Sequence, residues 1–323
     1  MKVLVTGNLP EKILEPLRDE HDVAVNRRDR PMERKRLLDT AADKHGLLTM
    51  LTDRVDDDLL DRAPELKIVA NCAVGYDNID LRAATRRGIV VTNTPGVLTD
   101  STADLAFALM MAVGRRVVEG DRRVRRGRFK YFVPFQFLGQ DISGKVLGII
   151  GMGRIGRAVA KRAAGFDMNV IYHNRHRIPT AGETAIGARF VDMKTLLRTA
   201  DVVSIHTPLT PKTRHLVGAT QLRMMKPSAI LVNTSRGPVV DEAALVEALN
   251  EGWIRGAGLD VYENEPNLAP GLAGLDNAVL LPHVGSATIE TRTRMAAMAV
   301  ENLLTGLRGV QPPNCLNGDL FGG

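Results

Sequence analysis

Cysteine is scarce in this chain of 323 residues, and Cys72 and Cys315 form neither a disulfide framework nor a metal-ligand spacing. Such sparse thiol usage fits a reducing, cytoplasmic setting, with no metal expected. Long hydrophobic runs are missing too. The longest, Leu105 to Val113, has nine residues, where a membrane span needs about 20. A secretory leader is not expected, because Met1-Lys2 passes directly into the strand-like Val3-Leu4-Val5 without a small-residue cleavage site. Internal repeats and low-complexity tracts are absent. Hydrophobic residues at 44% and charged residues at 25% exclude a disordered chain. The length exceeds one ordinary core and suits two domains of about 100–200 residues each.

Charge is the one feature in excess. Lys and Arg number 43 against 37 acidic residues, a net charge of +6. The surplus is local: between Arg115 and Lys130 there are eight basic and two acidic residues, so the rest of the chain sums to zero. Within that run Glu119 can pair with Arg122 or Arg123, and Asp121 with Arg125, at helical spacing. That pattern reads as a solvated helix face or a dimer rim. It lacks a base-stacking surface, so nucleic acid is not expected as partner, and with no long apolar run neither is a membrane.

The first hundred residues alternate short β-branched runs with amphipathic segments. Lys2–Thr6, Asp22–Val25, Gly46–Leu51, Lys67–Cys72 and Ile89–Thr92 read as strands, with Pro10–Asp19 and Pro31–Asp43 among the helices between them. Strands separated by helices imply parallel pairing through right-handed crossovers. Asn93-Thr94-Pro95-Gly96 breaks the pattern. A long helix follows, capped by Asp100 or Ser101, and then a loop-like, aromatic segment over 129–144. A second strand–helix alternation runs from Lys145 to Leu281, and a last long helix is expected over 287–304. The fold class is therefore α/β, with two doubly wound parallel sheets. A domain of residues 1–98, completed by 290–323, precedes one of 99–289.

The strand Lys145–Ile150 leads directly into Gly151-Met-Gly153-Arg154-Ile155-Gly156, and a helix follows. In that setting Gly151 allows a tight turn, Gly153 lets the backbone approach a pyrophosphate, and Gly156 lets helix and strand pack closely. The next strand, Met168–Tyr172, closes the βαβ unit. It ends in His173-Asn174-Arg175-His176-Arg177, without the acidic residue that would accept a ribose 2′-hydroxyl. Arg175 and Arg177 suit a 2′-phosphate instead, which favours NADP(H), with NAD(H) possible.

Three polar segments then follow three strands: Asn233-Thr-Ser-Arg236, Asp260-Val-Tyr-Glu263-Asn-Glu265-Pro266, and Pro282-His283-Val-Gly285. Open α/β sheets place ligands at the carboxyl ends of their strands. Arg offers a fixed fork to the carboxylate of an α-keto acid, and His can protonate a carbonyl oxygen as hydride arrives. A carboxylate beside an imidazole favours its protonated form. Spacing alone leaves Glu263 and Glu265 equal as that carboxylate.

With Val74-Gly-Tyr-Asp-Asn-Ile-Asp80, Asn93-Thr-Pro-Gly-Val-Leu-Thr-Asp100 and His206-Thr207-Pro208-Leu209, these segments resemble the D-isomer-specific 2-hydroxyacid dehydrogenases over nearly the whole chain, in particular the glyoxylate/hydroxypyruvate reductase branch. The resemblance implies a flavodoxin-like substrate domain beside the dinucleotide-binding one, and a homodimer. It makes Arg236 the substrate clamp, His283 the proton donor and acceptor, and Glu265 its partner. Asp260 would hold the nicotinamide carboxamide, and the amides of Val74 and Gly75 would receive the substrate carboxylate, with Leu51 nearby. Arg154, Ile155, Asn174, His206, Thr207, Pro208, Thr234 and Gly285 complete the implied cofactor contacts. Formate dehydrogenases carry Gln in place of Glu265, so Glu265 with His283 implies a carbonyl/hydroxyl couple. Phosphoglycerate dehydrogenases carry Arg near Met50, where this chain is uncharged, so a small substituent such as H or CH2OH is expected on the keto acid. Related reductases often have Trp after the long helix, whereas this chain has Phe129, Tyr131 and Phe132, its only Trp being Trp253. That departure implies a roomier or less polar pocket. The competing reading is a dinucleotide-sensing transcriptional corepressor.

Overall fold

A computed structural model describes residues 1–321. The chain divides into two compact units, one of Met1–Leu98 rejoined by the chain from Ala287 onward, the other of Thr99–Ser286.

The first unit holds β1 (Lys2–Val5), β2 (Asp22–Val25), β3 (Gly46–Thr49), β4 (Ile68–Asn71) and β5 (Val90–Thr92). All pair in parallel, in the order β2-β1-β3-β4-β5, the doubly wound order of flavodoxin-like sheets. Every residue of β3 and β4 is buried, as central strands covered on both faces must be. Alternation along β1 sends Leu4 to one face, with Leu37, Leu59 and Ala83 from the intervening helices. Val3 and Val5 face the other, against Leu14 and Leu17 of helix Glu11–Glu20 and Ala299 and Leu303 of the C-terminal helix Ile289–Leu307. β3 ends two residues before its apolar run does. The Met50 amide turns away to the buried Asp53 carboxylate at 2.7 Å.

The second unit holds β6 (Val146–Ile150), β7 (Asn169–His173), β8 (Ala188–Phe190), β9 (Val202–Ile205), β10 (Ile230–Asn233), β11 (Gly256–Leu259) and β12 (Ala278–Leu280). Their parallel order is β12-β11-β10-β9-β6-β7-β8. From β6 the chain builds outward to β8, then crosses back to β9. The crevice between the carboxyl ends of β6 and β9 is thus the topological switch point, where such sheets bind ligands. The helix after the glycine turn begins at Arg154, because Gly153 is its N-cap and the second half of the motif is already its first turn.

The basic run forms helix Val117–Arg125, with no buried residue. Arg125 pairs with Asp121 at 2.9 Å. Glu119 is taken instead by Arg116, at 2.5 Å, and not by Arg122 or Arg123. Arg116 stands in the left-handed region (φ 54°) at the helix start, its guanidinium 4.0 Å from the Phe137 ring centroid, and this puts it within reach of Glu119 first. The segment beyond exposes Phe129, Tyr131, Phe132, Phe135 and Leu138. Among the described residues no helix is long and apolar enough to cross a membrane.

Candidate active site

The glycine turn is built by close approaches. Gly151 has φ 101°, and a Cβ there would lie 2.6 Å from the His206 carbonyl; on Gly156 it would lie 2.1 Å from the Gly151 oxygen. Over Gly153 the space is open to 4 Å, so the side of the turn where a phosphate would sit is the uncrowded one. The amide of His206 donates to the Ile150 carbonyl at 2.7 Å. Asn174 accepts the Met152 amide at 2.7 Å and so ties the end of β7 to the turn. Beside it, the Nδ1 of His206 and the hydroxyls of Thr207 and Thr234 are buried with no partner among the described residues. Buried polar atoms are ordinarily satisfied. Three orphans at the ends of β9 and β10, next to an open glycine turn, fit a bound dinucleotide.

The two arginines after β7 part company. Arg177 donates to both oxygens of Glu183, at 2.8 and 2.7 Å. Glu183 also accepts the Tyr172 hydroxyl at 2.6 Å, and that hydroxyl accepts the Ile178 amide. The Arg177 side chain and the Tyr172 hydroxyl hold the Glu183 carboxyl down to about 2. Arg177 is thus a strut of its loop. Arg175 is exposed and has no acceptor among the described residues.

The catalytic candidates gather at the ends of β10, β11 and β12. After β10, Asn233 accepts the Ser235 amide and donates to the Arg236 carbonyl, both at 3.0 Å, a local turn that fixes the backbone of Arg236. At Gly237 an added Cβ would lie 1.8 Å from the Tyr262 carbonyl carbon. Only glycine lets the β10 loop lie on the Tyr262–Glu263 backbone. After β11, Asp260 is 1% exposed and accepts the amides of Val284 and Gly285, each at 2.7 Å. Burial pushes its carboxyl above the ordinary range, against those amides. His283 stands at φ 53°, and its Nδ1 lies 2.8 Å from Oε2 of Glu265, each side chain about one-third exposed. The other oxygen of Glu265 accepts the Tyr262 amide at 3.0 Å. Burial opposes its ionisation, but the His283 hydrogen bond and charge, the Tyr262 amide and the Arg236 charge together hold the carboxyl below its ordinary value.

Glu263 serves elsewhere: its Oε1 lies 2.6 Å from Nε2 of His215. Sequence reasoning passed over Glu242, a buried acid whose two oxygens accept the amides of Glu263 and Ala269 at 2.9 and 3.2 Å. It thereby fastens the loop that carries Glu265. Asp241-Glu242 reads in sequence as an ordinary acidic helix start, and no periodicity marks the second residue as different.

In the first unit, Val74 and Gly75 lie in the loop after β4, and their amides find no acceptor among the described residues. Leu51, in the turn after β3, is partly buried. Burial pushes the Cys72 thiol up to about 12, so it stays protonated at neutral pH. Among the described residues no group of His, Cys, Asp and Glu side chains gathers to hold a metal.

A parallel sheet with its switch point beside an open glycine turn, and a histidine–carboxylate pair at neighbouring strand ends, define a nicotinamide dinucleotide-dependent oxidoreductase. The family pattern for the NAD-binding domain of D-isomer-specific 2-hydroxyacid dehydrogenases matches residues 107–285. The chain is 51% identical to a glyoxylate reductase of Thermococcus litoralis, over 99% of its own length and 98% of the relative's. A solved structure of a Thermus thermophilus protein superposes with a TM-score of 0.92 at 49% identity, covering 98% of this chain and all of that one. An NADPH-dependent glyoxylate/hydroxypyruvate reductase from Sinorhizobium meliloti, solved with NADP and malonate, gives 0.87 at 34% identity, covering 98% and 96%. The chain belongs to the D-isomer-specific 2-hydroxyacid dehydrogenases, enzymes that use NAD(P).

One consequence concerns acid stability. Burial holds His206 down to about 4, against an ordinary value of 6.5. Between those values the unfolded chain binds a proton that the folded chain refuses, so this contribution is intact above about pH 6.5 and is lost as pH falls toward 4. Urea midpoints of the cofactor-free protein should fall over that window, and fall less steeply in His206→Gln. Parallel slopes would contradict the assignment.

Proposed function

We propose that this enzyme reduces glyoxylate, and with it small 2-keto acids such as hydroxypyruvate, to the D-2-hydroxy acid, with NADPH preferred over NADH. The observation that carries the reading is the 2.8 Å contact between His283 Nδ1 and Glu265. A carboxylate held below its ordinary value is an acceptor, so Nδ1 carries a hydrogen and Nε2 is left to exchange a proton with substrate. Relatives named glyoxylate reductase, at about half identity over the whole length, support the substrate class.

A bound nicotinamide dinucleotide supplies hydride; the glycine turn, Asn174, His206, Thr207, Pro208, Thr234, Asp260 and Gly285 would hold it. The side chains do the rest. Arg236 grips the keto acid through its carboxylate and carbonyl oxygen, and so fixes the carbonyl for attack. His283 gives the Nε2 proton to the oxygen as negative charge develops there, and Glu265 keeps the imidazole oriented and stabilises its charged form. In the other unit, the amides of Val74 and Gly75 are assigned to the substrate carboxylate. A corepressor that only senses dinucleotide has no use for such a proton-handling pair. His283→Ala should lower kcat with glyoxylate by about 10²–10⁴-fold, with NADPH affinity kept; undiminished turnover would end the assignment.

Arg175 is the residue proposed to read a 2′-phosphate, Arg177 being engaged with Glu183. A charge-assisted hydrogen bond is worth roughly 1.5–3 kcal/mol. Arg175→Ala should therefore cut the ratio of kcat/KM for NADPH over NADH by about tenfold or more. Initial rates of wild type and variant with both cofactors measure it, and an unchanged ratio would remove Arg175 from cofactor selection.

The exposed aromatic segment, with Phe132 81% and Phe135 87% exposed, is too apolar for a lone surface and is proposed to pack on a second copy of the chain. Light scattering should report a homodimer that Phe132→Asp with Phe135→Asp converts to monomer. A dimer that survives the double change would place the interface elsewhere.

A further inference from the structure

We propose that Asn93 is a positioning residue, which turns the loop after β4 into a two-amide hook for a carboxylate, with Asn71 and Asn302 as its supports. The inference rests on the proposed reading of Val74 and Gly75 as the carboxylate-binding loop.

In a trans peptide the C=O of one residue and the N–H of the next point in opposite directions. Holding a carbonyl on one side therefore aims the following amide to the other. Three consecutive carbonyls of this loop are held in that way. The Ala73 carbonyl accepts the Thr94 amide at 2.9 Å, which aims the Val74 amide. The Val74 carbonyl accepts Nδ2 of Asn93 at 2.7 Å, which aims the Gly75 amide. The Gly75 carbonyl accepts Nδ2 of Asn71 at 2.9 Å, which steadies the next peptide. The amides of Val74 and Gly75 are left without an acceptor among the described residues.

Asn93 is itself fixed from behind. Its carbonyl accepts Nδ2 of Asn302, from the C-terminal helix, at 3.1 Å. The Asn302 oxygen accepts Nδ2 of Asn314 at 3.2 Å. Asn71, Asn93 and Asn302 are 0%, 7% and 1% exposed. Buried amides are costly unless hydrogen-bonded, and here each one acts on the loop or on the residue that holds it. A neutral donor is required at position 93. A carboxylate would meet the Val74 carbonyl with repulsion and free that peptide to rotate.

The test is Asn93→Asp, nearly isosteric, with glyoxylate kinetics at saturating NADPH and NADPH binding followed by fluorescence. The expected result is a KM for glyoxylate raised about 10–100-fold, as loss of a hydrogen bond to a charged group implies. kcat should stay within about threefold, and NADPH affinity should be unchanged. Asn71→Asp and Asn302→Ala should raise KM less. Asn93→Ser, which retains a shorter-reaching donor, should recover part of the loss, and it replaces Asn93→Asp if the latter does not fold. An unchanged KM in the Asn93 variants overturns the proposal, as does a loss of kcat and NADPH binding in step with KM. Gly75→Pro removes the amide itself. If it leaves KM unaltered, the reading of the loop fails; if it alone raises KM, only the role of Asn93 does.

Discussion

A buried carboxylate with no cation bonded to it among the described residues governs the second unit's candidate site. Asp260 is held by two backbone amides at 2.7 Å, from Val284 and Gly285, and charge-assisted bonds of that length are among the stronger ones a protein makes. They clamp the residues after His283 to the end of β11, while the Leu281 amide is bonded to the Leu259 carbonyl at 2.8 Å on the other side. His283 is strung between the two anchors and takes a left-handed backbone conformation, uncommon for a non-glycine residue. Its ring orientation toward Glu265 follows from where its neighbours are tied.

The same device recurs among the nearby acids. Asp260, Glu242, Glu263 and Glu265 lie in one region, and their mutual repulsion is met by backbone amides. Glu242 takes those of Glu263 and Ala269, and Glu265 takes that of Tyr262. Glu263 is spent on His215. Burial raises the carboxyls of Asp260 and Glu242, whereas Glu265 is lowered. Environments that push neighbouring groups apart in this way assign each its task. Here Glu265 is the acid that keeps an oxygen on His283.

Much of this was legible in the chain. The alternation of apolar runs and amphipathic segments predicts both parallel sheets, and the glycine turn reads correctly between β6 and its helix. Arg236, Asp260, Glu265 and His283 stand out because polar residues directly after buried strands face the ligand side of such sheets. What spacing leaves illegible depends on long-range closure. Glu263 and Glu265 are two residues apart on one loop; the resemblance names Glu265, and the fold parts them by giving Glu265 to His283 and Glu263 to His215, 48 residues earlier. Arg177 looks as free as Arg175 until β7 and the following helix bring Tyr172 and Glu183 to it. Asn93 reads as a break between domains, because the partner that gives it work, Asn302, lies 209 residues on.

The return of the C-terminal helix to the first unit sets an order of events during synthesis. The second unit is one uninterrupted stretch, Thr99–Ser286, and can close as soon as it has left the ribosome. The first has all five strands early, yet one face of its sheet, with Val3, Val5, Leu48 and Ile68, waits for Ala299, Val300, Leu303 and Leu307. Although its strands precede the second unit in the chain, the first closes after it, and its apolar face needs shielding while the second unit is being made.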